Sequence, residues 1–553
     1  MPPIIGYVTV INVMDYGATG LGTSDDTTAI QRALNAVPAA TANTPSGAIV
    51  YFPQGTYLIS SPLTRTKSNT HILGEGKDAT IIRLNVGFWT PSASPLNPSL
   101  SFMLDLGGAT ITDCSVRDLT IDGRASALTV TGNSSQGYCG ILAGIRSEIT
   151  RVNIYDVWGY GIWIFGSNAE WVRVIDCEAD LGSNPRAIGY VDGNDCIGGG
   201  GMRSLIQRFH WMGTMTKNTA LDFQAGGGPN AEVSVDIIDC INESARHVAL
   251  EGAVQSSIRG CRFYLNQLKV KTNTGGNYVI NPRDILVEGC IFIGPSGTES
   301  GLVVHFDGGN YAAEVQTVQG GRVAVIGNTF IDCDASAIEW AGDDESTSLG
   351  GSRVGNNRIF NPNQTGGSEA VVVEGIFAPL GSRWGSGISV LTTYGLTIQG
   401  NTIVDASGDM VYSMQLSTPG TITDHNTTRI LVQGNLCGSS PGVGNGSAGT
   451  FYYSDNPTAD NPSPILLNNT NQPQGLDSTV AGAVYNGVSW PGPGGYPYNA
   501  LICVALAGGT VNYIQIGSGG FTGLSEGSFY VPAGQTFLIS WNNPAPTINV
   551  FQS

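Results

Sequence analysis

An all-β solenoid, a coil of short strands stacked along one axis, is the fold this sequence predicts. Three observations point to it. The first is a recurring phrase: an apolar strand, then Gly-Cys, Gly-Asn or an equivalent, then an apolar residue. It reads VQSSIRGCRFYL around Gly260, DILVEGCIFIG around Gly289, VAVIGNTFID around Gly327, SRVGNNRIFNP around Asn356, TIQGNTIVDAS around Gly400 and LVQGNLCGSS around Gly434. Looser copies precede it at VRDLTIDG, RVNIYDVWG, WVRVIDCEAD and SVDIIDCINES. A fixed phrase recurring every twenty to forty-five residues or so marks one supersecondary unit stacked on copies of itself. The second is the two-residue alternation inside each copy, which is a strand's period. The third is composition: 77 glycines in 553 residues and only 12% charged residues suit a coil that turns tightly at every rung.

The small Cys and Asn side chains after each glycine suit an inward corner where like residues stack from rung to rung. Cys177, Cys240, Cys261, Cys290 and Cys333 recur in these phrases and read as buried thiols acting as small hydrophobes, not as a disulfide framework. No CxxC pair occurs, so a zinc site is not expected; no other metal and no cofactor are expected. The net charge of −18 and the lack of a basic stripe argue against nucleic acid and favour a neutral or cationic partner, or a neutral glycan. The segment MPPIIGYVTV has no basic n-region and no long apolar h-region, so a chain without a secretory leader is expected. No apolar run approaches the length of a membrane span, so insertion into a membrane is not expected.

In chain order, residues 1–100 form an N-terminal region and cap. Asp25 or Asp26 can cap a helix whose apolar face is Ile30, Ala33, Leu34 and Val37, an i, i+3, i+4, i+7 stripe. Such a helix covers a first rung that would otherwise expose core and unpaired backbone. The elements Asp15-Tyr16-Gly17-Ala18, Asp25-Asp26-Thr27, Ala29-Ile30-Gln31 and Tyr51-Phe52-Pro53-Gln54-Gly55-Thr56-Tyr57 resemble the N-terminal signature of the pectate-lyase-like family. That resemblance covers residues 11–84 and implies a right-handed parallel β-helix. Family members include glycosidases, lyases and spikes, so it does not select an activity.

The solenoid is expected over 101–437. Residues 438–476, rich in Gly, Ser, Pro and Asn, read as a linker. Residues 477–553 return to short strands (YNALICVAL, TVNYIQIG, GSFYVPAG, TFLISW) between glycine-rich turns and read as a C-terminal β-sandwich. Gly508-Gly509-Thr510-Val511, the Gly523–Phe529 turn and strand, Val531-Pro532-Ala533-Gly534 and Pro544-Ala545-Pro546 resemble the C-terminal domain of minor tail proteins from phages that infect actinobacteria. Together the resemblances imply a phage tail spike or minor tail protein. Such a protein would be a homotrimer carried on the virion, partnered by other tail and baseplate proteins and by a host cell-surface glycan.

Chemistry is expected on the strand after each corner. These strands read around Trp163, Gly189–Gly193, Asp222, Glu251, Lys269–Lys271, His305–Asp307 and Glu339, with apolar residues alternating inward. Trp163, Tyr190, Asp192, Asp222, Gln224, Glu251, Lys271, His305, Asp307 and Glu339 then form an outward ladder of rings and carboxylates. Aromatic rings stack on sugar faces and carboxylates accept hydrogen bonds from hydroxyls. Glycoside cleavage needs two carboxyls roughly 5–9.5 Å apart, a separation neighbouring rungs can provide. Asp222 with Glu251, and Asp307 with Glu339, are the candidate catalytic pairs. Trp163, Tyr190, Asp192, Gln224, Lys271 and His305 are candidate substrate-binding residues. Outward positions on a solenoid are polar whatever a protein does, so the ladder is equally the groove of a non-catalytic receptor-binding spike. Lys269, Lys271 and Arg246 keep a polysaccharide lyase open as well.

Overall fold

The alternation predicted along each repeat appears as three stacks of parallel strands. The computed structural model of the chain describes chiefly residues 9–39, 47–86, 101–124 except 108–110, 138–180 except 158 and 165–169, 197–212, 220–224, 232–244, 247–273, 278–294, 301–306, 316–333, 336–341 and 349–362, with shorter segments between 368 and 552. The chain divides into two units, Met1–Thr329 and Phe330–Ser553.

In the first unit each rung contributes one strand to each stack. Val254–Arg259 lies in the first stack, Arg262–Tyr264 in the second and Leu268–Lys271 in the third. Each pairs in parallel with its counterparts one rung away, Arg283–Glu288, Ile291–Ile293 and Leu302–His305. This is a parallel β-helix, as the corner phrase predicts. Inward residues stack on like residues. Ile206, Ile237, Ile258, Val287 and Val325 are register partners down the first stack, each at most 1% exposed. Phe263 and Phe292 stack at 4.7 Å in the second. Full burial of each such side chain contributes roughly 1.5–3 kcal/mol, so the column is the main source of cohesion between rungs.

The corners carry a second ladder. Cys177, Cys240, Cys261 and Cys290 each turn a thiol toward the first-stack carbonyl of the preceding rung (Ile149, Ile206, Ile237 and Ile258) at 3.5–3.6 Å. Asn328 continues the column, accepting from the Cys290 amide and donating to the Val287 carbonyl. The seven described cysteines are all buried thiols. Burial pushes the thiols of Cys139 and Cys177 up to about 12.

One residue before this ladder the backbone turns left-handed at every rung: Asp118, Arg151, Asp176, Arg208 and Asp239, then Gly260, Gly289 and Gly327. An L-residue there carries a steric cost that glycine escapes. The charged members pair along the axis. Arg151 Nε lies 2.5 Å from Asp118 Oδ1, and Arg208 Nε 2.5 Å from Asp176 Oδ1. At the other corner Arg146 reaches back to Asp113 and Arg322 to Asp284, while Arg203 sits over the Trp171 ring at 5.1 Å. In all five the arginine reaches to the rung before it.

The helix predicted to cap the first rung is Thr27–Asn35, and Ile30, Ala33 and Leu34 are buried beneath it. Its two acidic residues divide the work. Asp25 Oδ1 accepts from the Thr27 amide at 2.9 Å, whereas the Asp26 carboxylate accepts from the amides of Thr19 and Gly20 and holds the preceding turn. No described helix is long and apolar enough to cross a membrane.

In the second unit Ser352–Gly355, Leu396–Gln399, Leu431–Gln433 and Ile465–Leu467 form a parallel stack. Ile338–Ala341, Ser386–Val390, Tyr412–Ser417 and Phe451–Ser454 form another. The last strand of each falls inside 438–476, the stretch read as a linker, where short strands are hidden among Gly, Asn and Pro. Asn357, Asn401 and Asn435 make this unit's corner ladder through bonds of 2.9–3.0 Å. Beyond 477 two three-stranded antiparallel sheets occur, one of Ser489–Trp490, Phe537–Asn542 and Thr510–Ile516, the other of Gly527–Val531, Ala500–Ala505 and Thr547–Gln552. Short antiparallel strands are thus present in the stretch where a β-sandwich is expected.

Candidate functional site

Strand parity fixes which third-stack side chains face outward. Leu221, Phe223, Val248, Leu250, Leu268 and Val270 are buried without exposure, so the residues between them point away from the core. Register then sorts the outward residues of the first unit into two columns along the axis. One runs Trp163, Gly198, Asp222, Ala249, Lys269; the other runs Gln224, Glu251, Lys271.

Asp222 and Glu251 therefore share one face, on adjacent rungs and in adjacent columns. With rungs 4.8 Å apart and two residues along the strand, their Cα atoms are about 8 Å apart. Side chains leaning together or apart cover the carboxyl separations of either glycosidase geometry. Glu251 is held on both oxygens: Lys271 Nζ lies 2.7 Å from Oε1, and Gln224 Nε2 donates to Oε2 at 3.1 Å. Gln224 also reaches Asn273 Oδ1 at 3.4 Å. The Glu251 side chain is 14% exposed and that of Lys271 32%, so the pair is accessible from one side. Trp163 lies two rungs from Asp222 in the same column and is partly buried.

Other predicted residues fall elsewhere. His305 follows the Val270–Val304 pair at an outward position, yet it is only 8% exposed, and its carbonyl accepts from Thr272 Oγ1. Glu339, in the second unit, alternates with buried Ile338 and Trp340 and is itself 3% exposed. Neither side chain presents an open surface. Tyr190, Asp192 and Asp307 lie outside the described residues. The strand expected at Gly189–Gly193 also lies outside the described residues; among those described, Ile197–Gly199 pairs with Ile162–Ile164 on one side and Leu221–Gln224 on the other. Gly198 thus stands between Trp163 and Asp222 in the ladder, on a strand that is nearly all glycine and shows no alternation to read.

Two residues were missed. Tyr160 packs its ring on Trp163 with centroids 4.2 Å apart, and both rest on a buried cluster of Phe102, Cys139 and Leu142. Gly198 lies directly beneath the two rings: a Cβ there would fall 2.7 Å from Tyr160 Cδ1 and 3.1 Å from Trp163 Cε3. The run Gly198–Gly201 was the available signal, since glycines in strand register mark a close approach.

With known proteins the likeness is partial. Residues 10–157 match the family described as rhamnogalacturonase A/epimerase, pectate lyase-like. Over 159 residues the chain is 35% identical to the mannuronan C5-epimerase AlgE1 of Azotobacter vinelandii, covering 27% of this chain and 10% of that protein. Alginate lyase 7 of the same organism is 32% identical over 160 residues, covering 27% and 17%. A probable glucan endo-1,3-beta-glucosidase of Arthroderma benhamiae is 37% identical over 87 residues, covering 15% and 10%. The chain spans about a tenth of the length of the first curated relatives it matches. Among solved structures, the AlgE6 A-module superposes with a TM-score of 0.48 at 17% identity, covering 83% of this chain and 99% of that one. The Streptococcus pneumoniae surface adhesin PfbA gives 0.49 at 17% identity, covering 72% and 90%. The family match ends before the rungs that carry Asp222 and Glu251.

Proposed function

We propose that the chain binds a polysaccharide along the outer face of its third stack and cleaves it as a glycoside hydrolase, with Asp222 and Glu251 as the paired carboxyls. The observation that carries this reading is that both lie on one face of adjacent rungs, with Glu251 anchored by Lys271 and Gln224. Ion-paired Glu251 is suited to act as the base or nucleophile, and Asp222 as the acid that protonates the leaving oxygen. Polysaccharide-directed activity also appears in the names of the partial relatives, an epimerase, a lyase and a glucosidase.

The C-terminal resemblance supports a place on a phage tail. In this reading the chain is a spike or minor tail protein, homotrimeric, attached to other tail proteins and directed at host surface glycan. A lyase reading has one observation in its favour: the chain has five lysines, and two of them, Lys269 and Lys271, face outward on the strand next to Glu251. A basic side chain there could take the proton that β-elimination removes.

Incubation with cell-wall or capsular polysaccharide from candidate hosts separates the readings. New reducing ends without unsaturated sugars support the hydrolase. Reducing ends with the ultraviolet absorbance of an unsaturated product support the lyase. Retained polysaccharide with no new ends leaves a receptor-binding spike.

A further inference from the structure

Beyond the carboxylate pair, we propose that Tyr160 and Trp163 form a pyranose-stacking subsite and that Gly198 is the residue that positions it. This rests on the reading of the third-stack face as a polysaccharide site. The two rings lie 4.2 Å apart at 57° and are only partly buried, so part of their apolar surface faces outward. Their inner sides rest on Phe102, Cys139 and Leu142, which fixes them from below.

Gly198 determines how far they fold down. It is the register partner of Trp163 on one side and of Asp222 on the other. A Cβ at this position would stand 2.7 Å from two Tyr160 ring carbons and 3.1 Å from Trp163 Cε3, so any side chain lifts the rings. The rest of this rung is committed to close approach as well. A Cβ on Gly199 would meet the Ile164 carbonyl oxygen at 2.1 Å, and one on Gly200 the Gln224 carbonyl oxygen at 2.5 Å. The rung thus carries no outward side chain at these positions, and the rings occupy its space.

The result is an apolar plate over one rung and a carboxylate on the next, about 4.8 Å further along the axis. A pyranose has that division: a C–H-rich face that leaves water favourably on a flat ring, and a rim of hydroxyls that donate to a carboxylate. The subsite takes a neutral hexopyranose unit, its face on Tyr160 and Trp163 and its rim toward Asp222.

The test uses the full chain and a panel of neutral pyranose polymers, a β-1,3-glucan, a β-1,4-mannan and an α-1,6-glucan, with binding measured by affinity electrophoresis. For whichever polysaccharide the wild type retains, Trp163→Ala and Gly198→Ala should each weaken binding by roughly tenfold, about the worth of one aromatic contact. Gly198→Ala should also change the near-ultraviolet circular dichroism of the ring pair while the far-ultraviolet spectrum stays the same. Adding Gly198→Ala to Tyr160→Ala/Trp163→Ala should have no further effect on binding, because the glycine acts only through the rings. Wild-type binding by Trp163→Ala overturns the proposal even if Gly198→Ala fails to fold. An equal loss from Gly198→Ala with and without the rings overturns the positioning role. If the wild type binds nothing in the panel, the polysaccharide reading itself falls, and the ligand named here falls with it.

Discussion

Lys271 and Glu251 are register partners on neighbouring rungs, and their side chains meet at 2.7 Å on the outer face of the third stack. With Gln224 on the other carboxylate oxygen, both oxygens of Glu251 are held. An anchored carboxylate one rung from Asp222 makes the catalytic reading specific enough to test.

Glu251→Gln and Asp222→Asn keep shape and hydrogen bonding but remove the titrating group. Each is expected to reduce cleavage by about 10²–10⁴, the usual worth of a positioned acid or base, with binding and melting temperature almost unchanged. Initial rates of reducing-end release, alongside thermal melts, check this. Full turnover by both variants removes these two residues from the mechanism.

Gly260 and Gly289 share the same left-handed backbone, φ +64°, but differ in surroundings. A Cβ at Gly260 would lie 2.6 Å from Asp239 Oδ1, whereas one at Gly289 would meet nothing within 4 Å. Gly289→Ala should cost roughly 1–2 kcal/mol, the left-handed penalty alone. Gly260→Ala should cost more, and Asp239→Ala in the same chain should remove the excess. Urea denaturation of the three variants provides the comparison.

Arg151 holds the same backbone conformation and pairs with Asp118. An exposed ion pair contributes about 0–1 kcal/mol, less than the roughly 1–2 kcal/mol of left-handed strain. Arg151→Gly loses the pair but relieves the strain, while Arg151→Ala loses the pair and keeps it. Arg151→Gly is therefore expected to be more stable than Arg151→Ala by about 1 kcal/mol, and the reverse order in thermal melts would contradict the strain; a wild type clearly more stable than Arg151→Gly would show that the ion pair outweighs it.

Acid should loosen the charged corners first. The Arg146 guanidinium holds the Asp113 carboxyl down to about 2, and Arg208 and Arg322 lower those of Asp176 and Asp284. A carboxyl lowered in the folded state contributes stability that is complete above its unfolded value near 3.8 and is lost as pH falls through the folded one. The contribution is therefore expected to fade between about pH 4 and about pH 2 and to be modest, because these side chains are partly exposed. Amide exchange around Asp113, Asp176 and Asp284 at pH 5 and pH 3 would detect it. Equal protection at both values would contradict it.

The fold was legible because its signal is local. A left-handed glycine followed by Cys or Asn can be recognised one rung at a time, and the apolar stripe of the cap helix is equally self-contained. The third stack was less so, since loops of variable length precede its strands and Ile197–Gly199 has almost no side chains to alternate. Parity correctly gives the outward sense of His305 and Glu339, but direction does not reveal what covers a residue, and both are buried. The Tyr160–Trp163 plate was invisible for the same reason as Gly198: the contact joins residues nearly forty apart through the absence of a side chain.

The back-reaching arginines have a consequence for how such a chain can change length. Along the first corner the charges alternate, Asp118, Arg151, Asp176, Arg208, Asp239, whereas the next three positions are Gly260, Gly289 and Gly327. Excising the single rung that carries Arg151 would set Asp118 against Asp176, two like charges one rung apart. Excising two rungs restores the alternation. Along this corner, turns added or removed in couples keep every aspartate opposite an arginine in the charged stretch, whereas the glycine positions impose no such parity.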